Sequence, residues 1–104
     1  GNGEELRDHI WVEDVAFLIN QLVLLKKEGI YNLVTGKVIS FKKIAKIVKQ
    51  NQSIKKKFKI IKVRRNGPMP HNGWRAFDNS KIKKNFPNFK FKNFNIVSRQ
   101  LLDN

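Results

Sequence analysis

Apolar residues recur along this chain at helical spacing in some stretches and in short runs elsewhere, and the change marks its elements. Val15, Leu18, Ile19, Leu22 and Leu25 fall at i, i+3, i+4, i+7 and i+10, one stripe of an amphipathic helix. Glu13 and Asp14 open that helix, where carboxylates favour the positive end of the peptide dipole. Lys26-Lys27 close its last turn, and Gly29 is the expected stop. The apolar residues 10–12 ahead of it predict a short strand. A second strand is expected over residues 30–34, with Gly36 as the break. Ser40 then reads as the N-cap of a helix over 41–50. In that helix Phe41, Ile44, Ala45, Ile47 and Val48 are expected to face inward, and Lys42, Lys43, Lys46 and Lys49 to face water.

The second half is less periodic. Residues 51–57 read as a polar, basic loop, and residues 58–63 as an imperfectly alternating strand whose phase shifts at Ile60-Ile61. Asn66-Gly67-Pro68, Pro70 and Asn72-Gly73 crowd turn signals into residues 64–74, which predicts a loop. Asp78-Asn79-Ser80 caps a short helix over 81–85, stopped by Pro87. Phe89 and Phe91 alternate with Lys90 and Lys92 as on a half-buried strand, and a last helix is expected over 95–102.

At 104 residues the chain is one domain with a modest core, 1–104 as a single unit. A hydrophobic share of 40% with eight Phe fits a folded α/β or α+β unit rather than a disordered tail. No apolar run approaches the roughly 18–20 residues that span a bilayer, and no signal-peptide pattern opens the chain, so a cytoplasmic protein with no membrane partner is the default expectation. The absence of Cys excludes a disulfide framework, a Cys-based zinc site and a thiol nucleophile. His9 and His71 stand alone, and no metal site is expected.

The net charge of +14 raises nucleic acid as a partner, since a basic face releases phosphate counterions on binding. Yet the lysines are spread through every segment between apolar residues, which marks solvated faces of regular elements. The excess also fits a Lys-, Asn- and Ile-rich composition, or a missing acidic partner half. A small basic nucleic-acid-binding module therefore stays an alternative, as does a structural remnant without ligand.

Arginine offers planar, bidentate donors that match phosphate oxygens, so Arg is the expected reader of a diphosphate. Four stretches are relevant here, in chain order. They are Arg7-Asp8-His9-Ile10-Trp11-Val12-Glu13-Asp14-Val15, Tyr31-Asn32-Leu33-Val34-Thr35-Gly36 with Ser40 after it, Arg65-Asn66-Gly67, and Trp74-Arg75-Ala76-Phe77-Asp78-Asn79-Ser80-Lys81. Their ordered combination resembles the C-terminal part of extended short-chain dehydrogenase/reductases, the NAD-dependent sugar-nucleotide epimerases and dehydratases. It departs from that pattern at His9, where an aromatic is usual, at Val34, where Gly is common, and at Pro68, where several epimerases have Asp.

The resemblance implies an α/β fold: the small C-terminal substrate-binding subdomain, with short strands, about four helices and no Rossmann half. It implies a nucleotide-diphosphate sugar as ligand, with Arg7 and Arg65 on the diphosphate and Arg75 assisting. Arg64 is the weaker alternative to Arg65. Asp8 and Asp14 are expected to orient backbone and cap the helix, Lys81 to be a solvated helix residue, and His71 and Trp74 to line a sugar pocket or merely pack it. Tyr31 is not expected to be catalytic.

Catalysis is not expected of this chain alone. Gly1-Asn2-Gly3 lacks a preceding strand and is no dinucleotide fingerprint. The one Tyr, Tyr31, has Thr35 four positions on, so no Tyr-x-x-x-Lys pair exists. No catalytic or cofactor-binding residue is assigned, and NAD is implied only for the parent enzyme. The chain reads as a truncated, proteolysed or split-gene piece of that enzyme. Elements that normally pack on the Rossmann half would then expose apolar surface, which predicts that half, or self-association, as a partner.

Overall fold

A computed structural model describes residues 1–51 and 59–102. Two short strands, β1 (Leu6–Asp8) and β2 (Val38–Ser40), pair antiparallel, with Arg7 opposite Ile39 and Asp8 opposite Val38. Four α-helices accompany them among the described residues: α1 (Val12–Leu24), α2 (Phe41–Asn51), α3 (Ser80–Asn85) and α4 (Phe94–Leu102). The chain is thus a small mixed α/β unit. No helix among the described residues is long and apolar enough to cross a membrane.

Both strands lie away from where local pattern places them. Residues 10–12 form no strand: Trp11 is the extended N-cap of α1 and Val12 its first residue. Residues 30–34 have no regular structure either. A three-residue strand is fixed by its partner, and here the partners are found across the chain. The Phe41 amide donates to Glu5 O at 3.2 Å, and the Arg75 amide donates to Leu6 O at 3.1 Å on the other edge of β1. Residues 59–63 and the Phe89–Phe91 stretch are also irregular; of the loop expected over 51–57, Asn51 instead ends α2, and residues 52–57 lie outside the described residues with residue 58, the first of the expected strand.

The helices follow the periodicity closely. Ser40 caps α2, its Oγ accepting the Lys43 amide at 3.1 Å. Ile44, Ala45, Ile47 and Val48 are half-buried, and Lys42, Lys43, Lys46 and Lys49 are exposed; Phe41, expected inside, is also exposed. α3 opens on Asp78, whose carboxylate accepts the Ser80 amide at 2.8 Å and the Ser80 hydroxyl at 3.0 Å. Those two bonds hold the Asp78 carboxyl below its ordinary value of 3.8. The link is therefore intact above that value and is lost as pH falls through the lowered folded one.

Leu18 of α1, Ile82 of α3 and Val97 of α4 form the buried apolar core. Around it, Phe17 stacks on Phe89 at 5.3 Å between ring centroids, and Phe89 meets Phe91 edge-on at 5.0 Å. Buried Asp14 does not cap α1. Its Oδ2 accepts the Lys92 amide at 2.8 Å and ties the helix to the segment that leads into α4.

α1 also stops differently from expectation. The left-handed residue is Lys26, at φ 52°, not Gly29. The Lys27 amide reaches Leu22 O at 2.9 Å and the Lys26 amide reaches Val23 O at 3.1 Å. This pair of bonds is a Schellman closure with lysine where glycine is usual. Lys26→Gly should relieve the left-handed penalty and, after its own chain-entropy cost, raise stability by about 0.5–1 kcal/mol. A higher urea midpoint at unchanged m would show it; an unchanged or lower midpoint would contradict it.

Candidate functional site

The first residues of β1 gather the arginines. Glu5, immediately before the strand, pairs through Oε2 with Arg7 Nη2 at 3.1 Å and through Oε1 with Arg65 Nη2. One carboxylate thus brings together two guanidinium groups that lie 58 positions apart in the sequence (65 − 7). Its side chain is 13% exposed, against 21% for Arg7 and 32% for Arg65, so the pairs are partly shielded from water. Arg7 also donates to Leu6 O at 2.8 Å through Nη1 and to Pro70 O at 3.4 Å through Nη2.

Arg75 reaches the same region from the far edge of β1. Its amide is bonded to Leu6 O, and Trp74 bridges Leu6 in parallel. The Arg75 guanidinium approaches His71 Nδ1 at 3.2 Å and lies over the Phe77 ring at 4.9 Å from the centroid. A turn over Pro70–Gly73 is therefore shared, contacting Arg7 at Pro70 and Arg75 at His71. Asn72 and Gly73 both have positive φ, at 53° and 75°, in line with the preference of Asn-Gly for such turns. Gly73 is buried, and a Cβ there would displace Met69 Sδ as well as strain the left-handed backbone.

The three arginines named from the sequence lie around one strand end. Arg7 and Arg65 meet through Glu5, whereas Arg75 is linked to Arg7 through the turn and through Leu6 O, which accepts from both. Arg64 is exposed. The Arg65 Nε is buried without a hydrogen-bond partner among the described residues, an oriented donor with nothing to donate to. Arg7 retains its Nε and one Nη1 hydrogen after its own bonds are counted. Three guanidinium groups against one carboxylate leave the region positively charged, and the arrangement can hold an anion.

Glu5 is the residue sequence reasoning missed. Glu4 and Asp8 are also carboxylates close to Arg7 in the chain, but Glu4 is exposed and Asp8 is turned to another task. Asp8 Oδ1 accepts the Thr35 amide at 3.0 Å and its hydroxyl at 2.7 Å, and Oδ2 accepts the Gly36 amide at 2.8 Å. Asp8 therefore holds a turn in place rather than capping a helix. His9 packs edge-on against Phe41 and Phe94, at 5.9 and 6.1 Å between centroids. Lys81, expected to be merely solvated, donates to Ile30 O at 2.9 Å and lies over the Tyr31 ring at 4.3 Å. His71 and Trp74 are exposed beside Arg75.

Glu5→Gln removes the charge that holds Arg7 and Arg65 together. It should lower stability by roughly 1–3 kcal/mol, because two partly buried cations lose their shared counter-charge. Chemical denaturation of the two proteins side by side measures this, and an unchanged midpoint would mean that the pairs contribute nothing. In comparisons with known proteins, no family model, no curated protein and no solved structure matches this chain.

Proposed function

We propose that this chain is the nucleotide-sugar-binding part of an NAD-dependent sugar-nucleotide epimerase or dehydratase, corresponding to the small C-terminal substrate-binding subdomain of an extended short-chain dehydrogenase/reductase. The observation that carries the reading is the shared Glu5 carboxylate, which joins Arg7 and Arg65 into one cationic cluster. Arg65 Nε, the remaining donors of Arg7 and the guanidinium of Arg75 are the groups that meet a diphosphate. Charge-assisted bonds from planar guanidinium to phosphate oxygens are short and strong, and they fix the orientation of the ligand.

NAD does not fit the residues present. In the strand-to-helix passage that enters α1, residues 9–11 are His9, Ile10 and Trp11, with no glycine to let a pyrophosphate approach, and β2 runs into α2 at Ser40-Phe41 with none between them. Glu13 and Asp14 occupy the first turn of α1 and repel a second phosphate there. No redox step is assigned to this chain. Its part is to bind and orient the sugar nucleotide, and the isolated chain is inactive on this reading.

Support for a partner comes from the open side of α1. Val12, Ala16, Ile19 and Val23 are spaced i, i+4, i+7 and i+11 and are all exposed, Val12 at 67% and Val23 at 69%. Ile30 beyond the helix is 88% exposed. A continuous apolar stripe of this kind is the surface that a Rossmann half, or a second copy, would cover.

Calorimetry against UDP-, GDP-, CDP- and dTDP-sugars tests the binding role. Arg7→Ala and Arg65→Ala should each weaken the best of these ligands by about 10- to 100-fold, the size of one bond to a charged group. No heat with any of the four, from protein shown to be folded, would end the binding claim. Salt-steep binding to generic DNA or RNA alone would favour the nucleic-acid module instead.

The apolar stripe makes a separate prediction for the chain on its own. Sedimentation should show self-association that Ile19→Glu with Val23→Glu disperses. A monodisperse parent protein that binds no apolar dye would count against the covered face.

A further inference from the structure

A cavity of about 310 Å³ opens away from the arginines, between the entry to α1 and the inner face of α4. Val97 and Leu101 of α4 contribute apolar wall, and His9, Trp11, Lys92 and Ser98 are its polar lining residues. That volume is at the lower end of small-molecule pockets. None of Arg7, Arg65 and Arg75 lines it, so the cavity is separate from the arginine cluster.

Three of the four buried side-chain polar atoms that lack a hydrogen-bond partner among the described residues belong to residues of this lining: His9 Nε2, Trp11 Nε1 and Ser98 Oγ. Native proteins pair nearly all such atoms, so three on one cavity mark a place where partners come from outside the chain. Ser98 is only 6% exposed and sits on a helix whose other cavity-facing residues are apolar. The indole N–H can only donate, the hydroxyl can donate, and the imidazole nitrogen takes whichever role its tautomer allows.

Charge narrows the ligand class. Among the described residues, Lys92 is the one Lys or Arg of the lining, and no carboxylate lines the cavity. Asp14 lies close by, but its Oδ2 is engaged by the Lys92 amide and the residue is not part of the wall. Donors and a cation around an apolar body call for an acceptor-rich anionic head on a hydrocarbon tail. We infer that this cavity binds a small organic carboxylate, a medium-chain or arylalkyl acid. Its carboxylate oxygens accept from Trp11 Nε1 and Ser98 Oγ, and its tail packs against Val97 and Leu101.

Octanoate is the probe, with 1-octanol and octylamine as isosteric neutral and cationic controls. The readout is the pair of indole N–H signals in a nitrogen–proton correlation spectrum, assigned with Trp74→Phe. Octanoate should shift the Trp11 signal saturably and leave Trp74 in place, and octanol and octylamine should bind at least about tenfold more weakly, as expected for loss of a charge-assisted bond. Ser98→Ala should weaken octanoate by about tenfold while leaving the urea midpoint unchanged or raised, since the hydroxyl it removes has no partner.

Octanol binding as tightly as octanoate would remove the carboxylate from the proposal. Shifts that never saturate, or that affect Trp74 rather than Trp11, would show only attraction to a basic surface and overturn the site. Unaltered octanoate affinity in Ser98→Ala would do the same for the assigned donor.

Discussion

Asp8 holds the fold in its arrangement. Its two carboxylate oxygens accept three donors from Thr35 and Gly36, which lie just ahead of β2 in the chain. Bonds to a charged acceptor contribute about 1.5–3 kcal/mol each, more than a neutral backbone bond, so this turn is well fixed. Asn79, buried at the entry to α3, holds the same turn from behind by donating to Thr35 O at 2.9 Å. Position 36 favours glycine, because its φ is 78° and a Cβ would come within 2.7 Å of the Asn79 amide nitrogen. Three distant segments meet at one turn, and the register of Val38 opposite Asp8 follows from it.

The same commitment sets the position of the arginines. Successive residues of a strand point to opposite faces, so fixing Asp8 toward residues 35 and 36 turns Arg7 to the other side. There it meets Glu5 and, through Glu5, Arg65. Leu6 O, between them, accepts both the Arg75 amide and an Arg7 Nη1 hydrogen. The cationic cluster is thus a consequence of the turn clasp on the opposite face. A change at Thr35 would be felt at Arg7 without touching it.

What could be read in advance divides along the same line between local and distant causes. Helices depend on neighbours three and four positions away, so Ser40, Asp78 and the apolar spacing of α1 and α2 are legible locally, and the helix ends fall within a residue or two of expectation except at the C-terminus of α1, which stops three residues before Lys27. The strands did not follow, because residues 6–8 and 38–40 become strands only through each other. Phe41 and Ile19 belong to inward stripes by spacing, yet 43% and 48% of each remain exposed. Periodicity identifies a face but not whether anything covers it. The arginines could be singled out by residue type. Glu5 could not, because adjacent Glu4 and Glu5 are equivalent until the strand direction is known.

Thickness is the constraint that links the bare face of α1 to the arginine cluster. The chain extends 47 × 37 × 17 Å, with a radius of gyration of 16.6 Å. A compact chain of this length would have a radius near 13 Å. A helix with side chains is about 10–12 Å across, so a depth of 17 Å leaves little room for a second layer along the shortest axis. Leu18 faces inward to Ile82 and Val97, and Val12, Ile19 and Val23 are left to water. Domains gain their stability by packing two such layers over one core. A second layer on the exposed side of α1 would supply what burial lacks, and it would leave the Asp8 clasp untouched, since that clasp is made within the chain. The arginine cluster therefore has its geometry within the chain, while the outer face of α1 is left uncovered by the described residues.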